Sequence, residues 1–284
     1  MNILVTGANG MLGSEVVAAA RRRDHAVASR DRTALDVTDS EAVARAIGAT
    51  APSVVINCAA FTAVDACEAE PGRAFAINAD AVASLALACT AVGSRLVHVS
   101  TDYVFDGTKN GPYVESDVPH PQSVYGASKL AGEQAVLELG PTGLVARTAW
   151  MFGPRGANIV QTVLSMKDSK ASLRFVNDQR GSPTSAIDLA EFLIVAIERE
   201  VSGIVHATNA GDVTWYEFVR EILRQCGDDP TRVEAITTAD LDPPRPALRP
   251  TNSVLESERL DQLGLPRMRR YEDALAAVLA NIRP

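Results

Sequence analysis

The chain has 284 residues, of which 46% are hydrophobic and 22% charged, as in a soluble globular protein with a sizeable core. Its net charge of −8 argues against nucleic acid as a partner, because binding a polymer of phosphates needs a basic surface. The four cysteines lack CxxC or Cys/His spacing, which argues against a disulfide scaffold and a zinc site. The four histidines are also scattered and indicate neither a metal site nor a Ser-His-Asp arrangement.

The first residues and the apolar runs of the sequence indicate where in the cell the protein is located. Its first residues lead directly into a strand pattern without a basic region or cleavage signal, and no apolar stretch approaches the ~20 residues of a membrane span. We therefore expect a cytoplasmic protein without a membrane partner. We expect it to be a monomer or a homodimer.

A glycine-rich turn follows the first predicted strand, at residues 2–6. Its glycines recur every third residue before the helical pattern of residues 12–20, and a missing Cβ lets a pyrophosphate approach the helix N-terminus. The alternative is a turn that only packs the strand against the helix. In this strand-turn-helix setting we favour cofactor binding, by Gly7, Asn9, Gly10, Met11, Leu12 and Gly13.

The second predicted strand, at residues 25–29, leads into adjacent charged residues. In dinucleotide sites an acid here binds the ribose diol, whereas an arginine accepts a 2′-phosphate. This chain has Asp31 between two arginines, which favours NADPH and leaves NADH possible. The residues expected to contact the cofactor here, including a loop that could flank the adenine, are Arg30, Arg32, Asp36 and Val37.

Strands and helices alternate through the rest of the first half. The S/T-x-x-E pattern of residues 38–41 predicts a helix start with a capping box. Such alternation predicts right-handed crossovers and a Rossmann-type, doubly wound parallel sheet. The predicted strands are 54–56, 95–99, 144–146 and 204–207, with a long helix at 72–92.

Beyond residue 150 the alternation loosens and prolines concentrate at 242–250, which cannot be regular structure. Helical patterns surround this segment at 186–199, 214–226 and 271–281. We expect residues 1–150 and about 174–208 to form the dinucleotide-binding domain, and about 151–173 and 209–284 to form a smaller, mostly helical substrate-binding lobe.

Two predicted strands end in residues suited to a site. Small side chains, Cys58, Ala59 and Ala60, follow the strand at 54–56 and precede Phe61. These residues either contact the middle of a cofactor or allow tight packing. The strand at 95–99 ends in Ser100, Thr101 and Asp102 at the sheet edge where doubly wound folds bind ligands. Thr101 could bond a substrate carbonyl, or it could cap its own backbone.

Tyr125 and Lys129 lie four residues apart at the start of a predicted helix, so one turn brings phenol and ammonium together. A phenol with a pKa near ~10 is a poor acid at neutral pH, but a nearby cation lowers that pKa. We therefore expect Tyr125 to be an acid catalyst and Lys129 to tune it.

The threonine, tyrosine and lysine resemble the catalytic set of the extended short-chain dehydrogenase/reductase superfamily. Within it, the chain resembles the dTDP-4-dehydrorhamnose reductase family over nearly its whole length. Relatives often carry another aromatic or a polar residue at Phe61, where this chain departs. The segments that carry the resemblance are 57–65 (NCAAFTAVD), 100–107 (STDYVFDG), 147–150 (RTAW), 178–184 (DQRGSPT) and 245–250 (RPALRP).

The resemblance implies that the protein reduces the C4 keto group of dTDP-4-dehydro-beta-L-rhamnose to give dTDP-L-rhamnose for polysaccharides. Tyr125 would protonate the C4 oxygen, Thr101 would stabilise the oxyanion, and Lys129 would hold the nicotinamide ribose. Asp102 and Trp150 would contact the sugar. We expect no catalytic metal. The proline-stiffened loop suggests Arg245 and Arg249 for the substrate diphosphate.

Three other functions stay open. A sugar 4,6-dehydratase needs a second acid after Asp102, where this chain has Tyr103. An epimerase needs no further titratable residue, and another nucleotide-sugar 4-keto reductase would carry the same catalytic set. A non-catalytic regulatory subunit, resembling that of methionine adenosyltransferase, would keep the fold, but here the three catalytic residue types are present.

Overall fold

The computed structural model describes residues 1–166 and 172–282 and has a six-stranded parallel sheet at its centre. Most strands that build this sheet are runs of buried apolar residues, as expected for strands covered on both faces. In chain order the strands are β1 (Asn2–Thr6), β2 (Ala26–Arg30), β3 (Val54–Asn57), β4 (Arg95–Thr101), β5 (Gly143–Thr148), β6 (Met151–Phe152), β7 (Leu173–Val176), β8 (Arg180–Gly181), β9 (Thr184–Ser185), β10 (Gly203–His206), β11 (Asn209–Ala210), β12 (Val213–Thr214), β13 (Val233–Ile236) and β14 (Met268–Arg270).

Helices cover both faces of the sheet. In chain order they are α1 (Met11–Arg22), α2 (Ser40–Thr50), α3 (Val64–Ala69), α4 (Pro71–Phe75), α5 (Ala81–Val92), α6 (Val124–Leu137), α7 (Ile159–Ser165), α8 (Ala186–Glu198), α9 (Trp215–Gln225) and α10 (Tyr271–Ile282). On one face α1 packs against α8, and on the other α2, α5 and α6 lie side by side.

The strand order is β10-β5-β4-β3-β1-β2, so the chain reverses its direction of travel across the sheet between β1 and β3. The strands ending at this point carry Thr6 opposite both Asn57 and Arg30. Ligands of doubly wound sheets bind beyond the carboxyl ends of the strands at such a reversal. The Rossmann-type sheet predicted from the sequence is confirmed.

The long helix predicted at 72–92 is present but contains an irregular turn. A π-helical turn, Ala76–Asp80, joins α4 to α5 without a break. This 22-residue helix is long and apolar enough to cross a membrane by length and composition, so the expectation that no such stretch exists is wrong. In the protein its apolar side packs against α2 and α6 in the core.

One predicted helix start is off by a residue. The side chain of Asp39, not Thr38, caps α2 by accepting a hydrogen bond from the Ala42 amide. The hydroxyl of Thr38 donates instead to the Asp36 carboxylate at 2.7 Å. An aspartate two residues before Thr38 competes for its hydroxyl, which the S/T-x-x-E pattern does not reveal.

The second half of the chain forms a smaller lobe around its own core. The helices α8, α9 and α10 confirm the three predicted helical patterns, and residues 242–250 contain no helix or strand, as predicted. The two-stranded sheets were not predicted; they pair β6 with β9, β7 with β13, β8 with β12 and β11 with β14. Thus β7 pairs outside the central sheet, whereas β10 joins it. Residues 167–171 and 283–284 of the predicted lobe lie outside the described residues.

Candidate active site

The glycine-rich turn brings three parts of the backbone into close contact. Gly7 has a φ of +64°, and a Cβ there would lie 2.7 Å from the Ala59 nitrogen. A Cβ on Gly13 would lie 2.2 Å from the Gly7 carbonyl oxygen. The glycines therefore allow β1, α1 and the loop after β3 to approach closely at the edge of the sheet.

A cavity of about 530 Å³ lies beside this turn. Arg32 lines this cavity, but Arg30 does not. The guanidinium of Arg30 donates instead to the Ser29 carbonyl oxygen. Arg73 also lines the cavity, and its guanidinium stacks over the Phe61 ring at 4.4 Å. This residue was not predicted, because it belongs to no recognisable motif. The other predicted cofactor residues on this wall are Gly7, Asn9, Gly10, Asp36, Val37, Cys58, Ala59, Ala60 and Phe61.

The carboxylate of Asp31 is occupied by its own loop. It accepts hydrogen bonds from the Thr33 amide and hydroxyl, the Ala34 amide and the Asn9 side chain. The Thr33 hydroxyl and the Ala34 amide hold the pKa of Asp31 below its usual value. Arg32, in contrast, has no hydrogen bond among the described residues and leaves its charge available to an anion.

A second cavity, of about 520 Å³, adjoins the first and shares Gly10, Cys58, Ala59 and Ala60 with it. It collects residues from the ends of β4 and β5 and from the start of α6. Gly13 lines neither cavity, because it packs against Gly7. The other predicted residues on this wall are Met11, Leu12, Thr101, Asp102, Tyr125, Lys129 and Trp150.

Thr101 and Tyr125 meet in this second cavity. Thr101 ends β4, and its hydroxyl donates to Asp102 at 2.9 Å and accepts from the Tyr103 amide. It also hydrogen-bonds the phenol of Tyr125. Ser123 caps α6 by accepting from the Gly126 amide, which fixes the helix turn that carries Tyr125. A hydroxyl pair is thereby held at the carboxyl edge of the sheet, where it can donate to one oxygen.

Lys129 is one turn further along α6 and is 2% exposed. Its Nζ donates to the Val99 carbonyl oxygen at 2.7 Å and lies 2.9 Å from Nε2 of His98. Burial lowers the Lys129 pKa to about 7, although Glu133 and Cys58 oppose this change. The contact with His98 was missed, because the scattered histidines gave no sequence signal.

The sequence predicts that Lys129 lowers the pKa of Tyr125, but the pKa of this phenol is raised in the structure. Burial raises the phenol pKa above its usual value of 10.0, and the neighbouring Thr101 hydroxyl offsets only part of this. Asp102, Tyr103 and Cys67 raise it further. Tyr125 is therefore held in its protonated form, which is the form that can donate a proton.

Asp102 lies deep in the site and is 2% exposed. Burial raises the pKa of its carboxyl to about 6. Its carboxylate faces the Thr101 hydroxyl, so a charge near Tyr125 depends on pH in the range just below neutrality.

Two stacked tryptophans form the opposite side of the second cavity. The rings of Trp150 and Trp215 lie parallel, with centroids 3.7 Å apart. Trp150 has a φ of +44°, and a Cβ on Gly181 would lie 2.4 Å from its indole. Trp215, the first residue of α9, was not predicted to line the site, because nothing in the sequence shows which helix of the lobe faces the sheet.

A third cavity, of about 470 Å³, continues past Val64, Tyr103 and Trp215, which also line the second. Arg245 and Arg249 both line it, as does Arg174. A negative group bound here would face several guanidinium groups.

The π-helical turn supports the wall between the first two cavities. The side chain of Asn78 accepts from the Phe61 amide at 2.8 Å and donates to the Phe61 carbonyl oxygen at 3.0 Å. It also donates to the Ser128 hydroxyl, between Tyr125 and Lys129 on α6.

Within residues 1–166 and 172–282 no three His, Cys, Asp or Glu side chains cluster as metal ligands.

A doubly wound sheet with a glycine-rich turn at its reversal point and a Thr-Tyr-Lys set beside it defines an extended short-chain dehydrogenase/reductase. Residues 1–283 match the family model described as the RmlD substrate binding domain. The chain belongs to this family.

Individual relatives agree with this assignment. The dTDP-4-dehydrorhamnose reductase of Streptomyces griseus is 44% identical over 278 residues, covering 96% of this chain and 91% of the relative. The crystal structure of a dTDP-4-dehydrorhamnose reductase from Clostridium acetobutylicum has a TM-score of 0.95 at 40% identity and covers 99% of both chains. That of dTDP-4-dehydrorhamnose reductase from Bacillus anthracis in complex with NADP has a TM-score of 0.94 at 33% identity and covers 98% of both.

Proposed function

We propose that this protein is an NADPH-dependent reductase that converts dTDP-4-dehydro-beta-L-rhamnose to dTDP-L-rhamnose for rhamnose-containing polysaccharides. The observation that carries the proposal is the position of Thr101, Tyr125 and Lys129 in a cavity that adjoins the glycine-rich turn. The relatives from Streptomyces griseus and Clostridium acetobutylicum are named dTDP-4-dehydrorhamnose reductase.

The paired cavities suit a dinucleotide. The pyrophosphate would lie over Gly7 and Gly10 at the N-terminus of α1, where the missing side chains leave room for it. Arg32 would bind the 2′-phosphate of NADPH, while NADH stays possible because Asp31 could bind a ribose diol. Lys129 would donate to the nicotinamide ribose. The bound cofactor supplies the hydride.

The chain's own residues manage the proton and the developing charge. The phenol of Tyr125 is protonated and buried, so it donates its proton to the C4 oxygen of the sugar. On substrate binding the Thr101 hydroxyl would turn its single hydrogen from Asp102 to the same oxygen and stabilise the negative charge there in the transition state. Asp102 orients the Thr101 hydroxyl and contacts the sugar.

The nucleotide sugar would extend from the second cavity into the third. Trp150 and Trp215 would pack against the sugar, and Arg245 and Arg249 would bind the diphosphate. A purely regulatory subunit is disfavoured, because such a protein has no need for a buried proton donor beside a hydroxyl. An epimerase or a different 4-keto reductase would have the same site, and the assay below tests for such activities.

We also propose a domain organisation, a cellular location and an oligomeric state for the enzyme. Residues 1–150 and about 174–208 would form the cofactor domain, apart from β7, which pairs with β13, and about 151–173 and 209–284 would form the substrate lobe. The protein works in the cytoplasm as a monomer or homodimer, without a catalytic metal, a membrane or a nucleic acid.

The test is the loss of nicotinamide absorbance when the purified protein meets the 4-keto-6-deoxy-L-sugar nucleotide, made in situ by a dehydratase and an epimerase. NADPH and NADH are supplied separately, and a reaction without the epimerase is the control. Oxidation that yields dTDP-L-rhamnose supports the proposal. Oxidation of the cofactor in the reaction without epimerase indicates another 4-keto reductase. Cofactor binding without oxidation in either reaction contradicts a reductase.

A further inference from the structure

The first cavity, beside the glycine-rich turn, has a polar and an apolar part of its wall. The turn forms the polar part, where the pyrophosphate would lie. The apolar part comes from two segments that cannot bind a phosphate through their side chains: Leu35 and Val37 after β2, and Ala76 and Ile77 at the π-helical turn. A flat and largely apolar ring fits such walls, so this part of the cavity suits the adenine of a dinucleotide.

Arg73 borders the apolar part of the wall. It lies on α4, one helical turn before Ala76 and Ile77, so its side chain emerges on the side of the helix that faces the cavity. Its Cζ atom lies 4.4 Å from the centre of the Phe61 ring. Phe61 is itself held in place, because the side chain of Asn78 bonds both its amide and its carbonyl oxygen. The guanidinium therefore rests on a fixed support.

The opposite face of the Arg73 guanidinium is open. The side chain is 43% exposed, and no second ring stacks on it within residues 1–166 and 172–282. A guanidinium is planar and delocalised, and it attracts the electron-rich face of an aromatic ring. With one face on Phe61, Arg73 keeps the other face for a ring that enters the cavity.

The charge of Arg73 is compensated, in contrast to that of Arg32. Its Nη1 donates to both carboxylate oxygens of Glu70, at 3.3 and 3.0 Å. Arg32 forms no hydrogen bond in the part of the chain that the structure describes. A carboxylate so close to Arg73 opposes the binding of a phosphate there but leaves the plane of the guanidinium free to stack. The two arginines of this cavity thus differ in what they can bind.

We propose that Arg73 is an adenine-binding residue, which covers the ring of the cofactor with the guanidinium face that does not contact Phe61. The inference rests on the function proposed above, because it needs a bound nicotinamide dinucleotide. It separates two roles in one cavity. Arg32 contacts the 2′-phosphate, which only NADPH carries, whereas Arg73 contacts the adenine, which NADPH and NADH share. Arg73 therefore sets the affinity for the cofactor without selecting between its two forms.

The test is calorimetric titration of wild type, Arg73→Ala and Arg73→Lys with NADPH, NADH and ADP-ribose. We expect Arg73→Ala to weaken the binding of all three by the same factor, about 3- to 10-fold, as for one cation–π contact at a partly exposed site. ADP-ribose is included because it keeps the adenine and lacks the nicotinamide. Arg73→Lys should weaken binding nearly as much, because lysine keeps the charge but has no planar face.

Arg45→Ala is the matched control. Arg45 is also an exposed arginine paired with a glutamate of its own helix, Glu41, but it does not line the cavity. All three affinities should stay unchanged in this variant.

Three outcomes overturn the proposal: unchanged affinities in Arg73→Ala, wild-type affinities in Arg73→Lys, or a loss confined to NADPH, which would make Arg73 a phosphate ligand. None of them affects the proposed reductase activity. Wild-type protein that binds neither NADPH nor NADH would instead contradict the proposed function, and this inference with it.

Discussion

The guanidinium of Arg249 bonds both oxygens of the Asp65 carboxylate, at 2.9 and 2.7 Å. This ion pair ties the proline-rich segment 242–250 to α3 and compensates the charge of Arg249. Arg245 lines the same cavity and forms no hydrogen bond in the described part of the chain. The two arginines are therefore not equivalent, and among the described residues only Arg249 is hydrogen-bonded to a carboxylate, which leaves the hydrogens of Arg245 for a substrate diphosphate.

We expect Arg245→Ala to raise the KM for the nucleotide sugar about 10-fold with little change in kcat, because a hydrogen bond to a charged group contributes roughly 1.5–3 kcal/mol. Steady-state kinetics at saturating NADPH measures both constants. Arg45→Ala is the control, since Arg45 is exposed on α2 and pairs with Glu41 on the same helix. Equal KM values in the two variants would remove Arg245 from the diphosphate site.

Tyr125→Phe should lower kcat by about 10²- to 10⁴-fold, because it removes only the proton donor. NADPH affinity, measured by calorimetry, should be retained. Tyr216→Phe removes a hydroxyl that bonds Arg220 outside the cavities, and it should keep full turnover. Unchanged turnover in Tyr125→Phe would rule out this residue as the acid.

Arg32→Ala should weaken NADPH binding about 10-fold and leave NADH binding unchanged, because only NADPH carries the 2′-phosphate. Arg30→Ala is the matched variant two residues away, and it should change neither affinity, since Arg30 does not line the cavity. Direct titration of each cofactor measures this. A loss in Arg30→Ala as large as that in Arg32→Ala would contradict the assignment.

Lys129 should make stability depend on pH. Its pKa is about 7 in the native protein and 10.5 as the ordinary value, so between these values the unfolded chain binds a proton that the native protein lacks. Unfolding free energy then rises with pH, by up to about 1.4 kcal/mol per pH unit. Urea unfolding at pH 7 and pH 9 should show this rise in wild type and a smaller one in Lys129→Met. Parallel curves would mean that the native amine is not neutral.

The sequence allows the central sheet to be predicted because its strands are short buried apolar runs separated by helices, a pattern that only a covered parallel sheet explains. Thr101, Tyr125 and Lys129 could be predicted for a related reason. Strand ends in such a sheet meet at one edge, and one helical turn separates Tyr125 from Lys129.

Other features depend on contacts that sequence spacing does not encode. His98 meets Lys129 because β4 and α6 pack at one particular register, and Trp215 at the start of α9 stacks on Trp150, which follows β5. The two-residue strands are too short to show periodicity. The rise in the Tyr125 pKa comes mainly from burial, which the spacing of Tyr125 and Lys129 does not show.

The π-helical turn at Ala76–Asp80 limits how the chain length can change. Each residue of a helix adds about 100° of rotation, so removing one residue from this turn would swing Asn78 or the helix beyond it out of position. Asn78 would then lose Phe61 and Ser128 together. We therefore expect single-residue deletions in 76–80 to disrupt the site, whereas a substitution at Leu87, which is 74% exposed on the same helix, should be tolerated.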